Sequence, residues 1–208
     1  MKYGKETELH ILETAKTLFG ECGKDGVSTS EIAQKAEINK ALIFYYFGSK
    51  DNLYKTAFKK LVEDYIEAIK QKLSLTEPGL PKIETFVREH IALLREKPFI
   101  VKFIAREFIK FENEPSEILL DCTEALGTLR NELLKSLESA RKKGEIRNVD
   151  PFQTIVNIMS LNIFYFLGKP LVKLIIPNID SEDFEMKRVD YVLDLLMNGL
   201  HKLPELPK

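Results

Sequence analysis

The residues whose types and spacing could do chemistry lie between Asn39 and Lys50. Lys40 carries a donor that can reach guanine O6 and N7, and the apolar Ala41 and Leu42 are side chains of the kind that touch a thymine methyl. Tyr45 and Tyr46 bring hydroxyls, and a helix capped by Asn39 brings backbone N–H groups at its start. Both kinds of donor reach phosphate oxygens, which positions a duplex without reading it. All six residues are expected on the free face of one short helix. The same stretch also fits an ordinary helical hairpin with an aromatic core. Phe44, Tyr45, Tyr46 and Phe47 are four aromatics in a row, more than one helix face buries, so some must point outward.

Other chemistries find few residues to stand on. His10, His90 and His201 are scattered, with no metal or catalytic spacing, and each is expected at the surface or partly packed. Cys22 and Cys122 are a hundred residues apart and are expected as small apolar core residues in a reducing compartment. There is no Gly-rich phosphate loop, nucleophile elbow or metal-ligand cluster in the pattern, so the chain does not read as an enzyme and implies no metal and no cofactor. Net charge is −1, and residues 1–50 hold seven Lys against seven acidic residues. Charge balance therefore gives no support for nucleic-acid binding, which rests on where particular residues sit. A helical interaction module that never touches DNA stays open as the other class.

The elements that must position these residues are helical throughout. With 44% hydrophobic and 30% charged residues in 208, the chain can bury a core without staples. Ile11, Ala15, Leu18, Phe19 and Cys22 recur at the spacing of one apolar helix face, and Gly23 and Gly26 end it. Ser28 with Glu31 has the form of a capping box and opens a short helix. The chain turns at Ala36-Glu37-Ile38, Asn39 caps the next short helix, and Ser49 caps a long one from about Lys50 to Leu73. Two helices of about eight residues joined by a tight turn form a helix-turn-helix. A linker at 76–81 follows, then helices at about 82–95, 98–112, 116–143, 151–167 and 181–202, with Gly168-Lys169-Pro170 expected to interrupt the pattern.

From Ile11 to Tyr54 the sequence resembles the N-terminal domain of the TetR (tetracycline repressor) family. The residues that carry the resemblance are Leu18, Phe19, Gly23, Gly26, Thr29, Ile32, Ala33, Ala36, Ile38, Lys40, Ile43, Phe47, Ser49, Lys50 and Leu53. The rest of the chain matches the family in layout, not in motif. The resemblance implies a ligand-responsive transcriptional regulator, most often a repressor, that binds palindromic operator DNA as a homodimer. By position it implies that Thr29, Tyr46 and Lys50 contact phosphate, and that Lys40, Ala41, Leu42 and Tyr45 approach base edges and nearby backbone. Two departures stand out. Glu37 occupies a turn position where the family usually has glycine, which calls for a strained backbone or a shifted conformation of the turn. Phe44 replaces a tyrosine and is expected to pack.

The expected fold is all-α. Residues 1–50 form a three-helix DNA-binding domain with the helix-turn-helix, and residues 51–208 form a helical ligand-sensing and dimerising domain. Phe86, Phe99, Phe103, Phe108, Phe111 and Tyr165 are aromatics at helical spacing, usually plain core. Helix bundles also house apolar cavities, and the resemblance implies one here for a small, largely apolar effector. Arg106, between Phe103 and Phe108, could meet an anionic group or be solvated or ion-paired. The helices at about 151–167 and 181–202 are apolar on nearly every side, more than one chain can cover, so a two-fold partner is expected on them. No apolar run approaches the roughly 20 residues that span a bilayer, so the partners are operator DNA, a small effector and a second copy, with no membrane, in the cytoplasm.

Overall fold

The computed structural model describes residues 4–109, 117–176, 179 and 181–201. Among the described residues there are ten helices and no strand. They form two packed units, Met1–Asp64 with Pro98–Glu124, and Tyr65–Lys97 with Ala125–Lys208.

In the first unit, helix α1 (Lys5–Cys22) buries Ile11, Leu12, Ala15, Phe19 and Gly20 along one face and ends at Gly23, whose φ of 79° a side chain would resist. α2 (Thr29–Lys35) and α3 (Lys40–Phe47) follow, then α4 (Lys50–Ser74), which starts where Ser49 Oγ accepts from the Asn52 backbone N–H at 3.1 Å. α4 is one continuous helix, and Lys50–Asp64 belongs to this unit. α6 (Phe99–Ile109) packs on α1. A cluster of rings is the centre: Phe19 on Tyr54 at 5.0 Å, and Phe103 on Tyr54 and Phe58, both at 5.1 Å. Burial of a ring this size stabilises by about 1.5–3 kcal/mol. The Tyr54 hydroxyl donates to the buried Glu107 carboxylate at 2.6 Å, and burial, seconded by that carboxylate, raises its pKa. Gly20 permits the close approach of α6, since a Cβ there would lie 2.7 Å from the Phe99 ring.

In the second unit, α5 (Leu80–Glu96) packs against α9 (Pro151–Val172) and α10 (Glu182–Leu200). α5 buries Ile83, Phe86, Val87, His90, Ile91 and Leu94; α10 offers Val192, Leu193, Leu196 and Leu200. Asp150 and Ser181 cap α9 and α10 by accepting from the Gln153 and Phe184 backbone N–H groups. α8 (Thr123–Lys142) joins through Lys82, which pairs with Glu132 at 3.0 Å.

Several expectations need correction. The helix expected at 116–143 is two, α7 (Glu117–Leu120) and α8 (Thr123–Lys142), with Thr123 Oγ1 donating to the Leu120 carbonyl at 2.7 Å where α8 begins. α9 does not stop at 167: Gly168 and Pro170 are accommodated in its last turns, where a missing N–H costs one bond only. Running unbroken over 22 residues, α9 is long and apolar enough by composition to cross a membrane, contrary to expectation, and only 17% of its most apolar window is buried. Cys22 is exposed, not core, whereas Cys122 is buried. His90, expected at the surface or partly packed, is fully buried.

Candidate nucleic-acid interface

The pair α2–α3 is built by local side-chain bonds. Ser28 Oγ accepts from the Glu31 N–H at 3.1 Å, and Glu31 Oε2 accepts from the Ser28 N–H at 2.6 Å, a complete capping box. The bond from the Ser28 backbone, with that from its hydroxyl, holds the Glu31 carboxyl below its ordinary pKa. At the far end of α2 the Ile38 N–H reaches the Ala33 carbonyl and the Glu37 N–H reaches that of Gln34, the pairing of a Schellman motif. That motif needs a left-handed residue between them. Glu37 supplies it at φ 53°, the one non-glycine with positive φ among the described residues, as the departure from glycine led us to expect. Asn39 Oδ1 then accepts from the Ala41 N–H at 2.8 Å and starts α3, and Gly48 at φ 71° ends it.

This geometry decides what α3 leaves outside. Ile32, Ala33, Ala36, Ile43 and Phe47 are buried and hold the pair on the first unit's core. Asn39, Lys40, Ala41 and Tyr45 are exposed, Tyr45 by 75%, and Tyr46 is partly so. The Tyr45 and Tyr46 rings meet edge to face at 5.0 Å, and the Tyr46 hydroxyl donates to the Gly4 carbonyl at 3.3 Å. Thr29 and Lys50 stand half-buried in the first turns of α2 and α4, and the Lys50 charge reaches Glu31. Seven of the eight residues singled out for DNA thus keep surface available. Leu42 is the exception, buried with 9% of its surface exposed. Phe44, expected to pack, is 45% exposed instead. Ile43 and Phe47 are one helical turn apart and fix the inward face. At 100° per residue Phe44 lies nearer the Ile43–Phe47 face than Leu42 does, so helical spacing alone does not predict which of the two is buried.

The residues suggested for an effector pocket are divided between the units. Phe103 is fully buried among Phe19, Tyr54 and Phe58, and Phe99 lies against Gly20, both in the first unit. Arg106 is partly exposed, and its guanidinium donates to the carbonyls of Phe19, Gly20 and Glu21 at 3.1, 2.5 and 2.8 Å, satisfying the open end of α1. Phe86 and Tyr165 are buried in the second unit, Phe86 against the His90 ring and Tyr165 donating to the Ile179 carbonyl. The Phe108 side chain and all of Phe111 lie outside the described residues. An open cleft of about 560 Å³ in the second unit, lined by Arg147, Asp150, Gln153, Asn157, Ser160 and Leu195 among others, contains none of these seven. The sequence reading missed the one buried polar pair of α5 and α9, His90 with Asn162, whose Nδ1 and Nδ2 atoms lie 3.0 Å apart. Nothing local marks it, since the partners are 72 residues apart. Among the described residues no group of three or more His, Cys, Asp or Glu is placed to hold a metal ion.

A capped short helix held by its inner face, with lysine and tyrosine left outside, defines a helix-turn-helix DNA-binding domain. Residues 11–57 match the family of bacterial regulatory proteins described as the tetR family. Over 147 residues the chain is 24% identical to the biofilm operon icaADBC HTH-type negative transcriptional regulator IcaR of Staphylococcus aureus (strain Newman), covering 70% of this chain and 76% of that one. It is 23% identical over 192 residues to the HTH-type transcriptional regulator RutR of Escherichia coli O157:H7, covering 91% and 88%. The fold is similar to that of the transcriptional regulator FadR from Bacillus subtilis, solved in complex with stearoyl-CoA, with a TM-score of 0.72 at 20% identity over 93% of this chain and all of that one. Residues 11–57 thus carry the N-terminal DNA-binding domain of the tetR family.

Proposed function

We propose that the chain is an effector-responsive repressor that binds palindromic operator DNA as a homodimer in the cytoplasm. The observation that carries this reading is the face of α3: Lys40, Ala41 and Tyr45 are left exposed by a domain whose other helices are packed, and Thr29, Tyr46 and Lys50 flank them with phosphate donors. Asn39 takes part through its cap, which aims the first backbone N–H groups of α3 outward. Residues 1–50 are the reading head, and residues from 51 onward sense and dimerise. The negative regulator IcaR among the relatives supports repression, and a structural neighbour holding stearoyl-CoA supports a ligand-responsive regulator.

Dimerisation is proposed on α9 and α10. Phe152, Val156, Phe164, Leu167 and Leu171 are all exposed by half or more and fall within about 120° of the α9 surface at 3.6 residues per turn, and Tyr191 and Leu195 are exposed on α10. A second copy laid on this stripe gives the two-fold that a palindrome requires, and accounts for an apolar α9 without a membrane. Two α3 helices must then enter successive major grooves about 34–36 Å apart, and an effector that favours another separation releases the DNA.

The test is selection of bound fragments from random double-stranded DNA by the full-length protein, followed by footprinting. The expected result is a site with two inverted half-sites one helical turn apart. Recovery of fragments with no shared sequence, or no retention at all, sinks the proposal.

A further inference from the structure

Among the described residues, Phe44 is the aromatic of the run 44–47 that meets no other ring. Tyr45, Tyr46 and Phe47 form a chain of ring contacts at 5.0 and 6.3 Å, and Phe47 is buried at its end. Phe44 stands outside that chain, 45% exposed. Its place on α3 is beside the residues of the reading face. At 3.6 residues per turn Phe44 lies about 40° around the helix from Lys40 and one turn further on, as Tyr45 lies to Ala41. Lys40, Ala41, Phe44 and Tyr45 are therefore neighbours in one patch, and all four are exposed.

A bare phenyl ring has no hydroxyl or N–H to offer a phosphate or a polar base edge. Among the groups displayed in a major groove, the thymine 5-methyl is the apolar one, and phenylalanine is a side chain of the kind that covers it. Leu42, the larger of the two apolar side chains expected to make such a contact, is buried, and Ala41 reaches only as far as its own methyl. Phe44 supplies the missing reach. A single exposed phenylalanine on a protein surface is ordinary, so exposure alone assigns it nothing. Its position one turn past Lys40, in a patch that otherwise carries an ammonium and a phenol, is what assigns it.

We infer that Phe44 is a specificity-determining residue of this interface: its ring covers the 5-methyl of a thymine close to the base pair that Lys40 reads. One helical turn advances four residues by about 6 Å, less than two base-pair steps of about 3.4 Å, so the thymine lies within two base pairs of that one. Covering the ring also takes out of water the apolar surface that the free domain leaves in it. The inference rests on the operator-binding reading above and names a base that the operator must contain.

The experiment uses full-length protein and the operator recovered by the selection described above. Each thymine of a half-site, together with its symmetry mate, is replaced in turn by deoxyuridine, which removes the 5-methyl and keeps every hydrogen-bonding group. Affinities are measured by electrophoretic shift for the parent, Phe44→Ala, Phe44→Leu and Ala41→Gly. In the parent, the loss of one particular methyl should weaken binding by about fourfold per half-site, the worth of one methyl group taken out of water. In Phe44→Ala that penalty should vanish, so that thymine and uracil are bound alike at that position, while penalties at other thymines stay. Phe44→Leu, still apolar, should keep part of it, and Ala41→Gly should keep all of it. Phe44→Ala should also retain the parent's circular dichroism and melting temperature, because an exposed ring is removed. A variant that no longer folds overturns the inference, since the ring is then a packing group. So does a half-site without thymine, a parent indifferent to every uracil, or a penalty that persists in Phe44→Ala. If the parent retains its operator through such a failure, only the thymine contact is lost; if it retains no DNA, the operator-binding reading falls with it.

Discussion

Lys40 and Lys50 carry the same charge in different places, and their removal should read differently. Lys40 begins α3 on its exposed side, so Lys40→Ala should cost about 1–3 kcal/mol of operator binding and relax preference at one position per half-site. Lys50 stands half-buried beside Glu31, so Lys50→Ala should weaken all sequences alike and lower the salt slope by about one for each phosphate no longer neutralised. Electrophoretic shifts on operator and scrambled DNA at several salt concentrations separate the two, and equal behaviour of both variants contradicts the assignment. Glu37 is strained where a glycine would rest, so Glu37→Gly should raise stability by about 0.5–1 kcal/mol, read by chemical denaturation; a fall would mean its side chain matters more than its φ. His90 gives a pH signature. Its folded pKa is depressed to about 3 from an ordinary 6.5, so between those values the unfolded chain binds more protons. Stability from this group is therefore full above pH 6.5 and lost as pH falls toward 3. Going from pH 7 to pH 5 should cost about 2 kcal/mol in the parent, and that part of the slope should vanish in His90→Leu.

At the scale of elements, the seam between α1 and α6 is where local and distant forces meet. Gly20 brings α6 close and Arg106 binds three carbonyls at the end of α1, where a cation also favours the helix dipole. Arg106→Ala should destabilise by about 1.5–3 kcal/mol, as loss of charge-assisted bonds implies, and Arg106→Lys should rescue little because an ammonium lacks the fork. Denaturation midpoints decide it, and full rescue by lysine would refute the forked arrangement. The contrast between this seam and α2–α3 explains what was legible in the sequence. Ser28, Glu31, Asn39 and Ser49 act within three residues of themselves, so caps and turn could be read directly, while Glu37 stood out only against the glycine of the family it resembles. Arg106 acts 85 to 87 residues away and His90 acts 72 away, and no periodicity encodes such a partner. Leu42 and Phe44 were misplaced because four successive aromatics hide which face is inward. The break between α7 and α8 was not legible in the spacing.

At the scale of the whole molecule, the proposed operator binding has to be reconciled with a near-neutral charge. A net charge of −1 provides no general attraction, and one helix-turn-helix contacts few phosphates. Two linked copies escape this limit, since the second half-site is then bound at a high effective concentration. The α9 stripe is wide enough to supply the link, and side chains as apolar as Phe164 and Leu167, exposed by 64% and 50%, are unusual on a surface that meets only water. The double variant Phe164→Asp/Leu167→Asp removes apolar surface from the stripe without touching the buried side of α9, which carries Ile158, Asn162 and Tyr165. Its circular dichroism should match the parent's, while sedimentation should fall from twice 24.0 kDa to a single chain. Operator affinity should drop by about 10²–10⁴, the range that linkage contributes, with binding to an isolated half-site unchanged. A parent that sediments as one chain at micromolar concentration, or a monomeric variant that still binds the full operator as tightly, would show that the stripe serves something other than pairing the two reading heads.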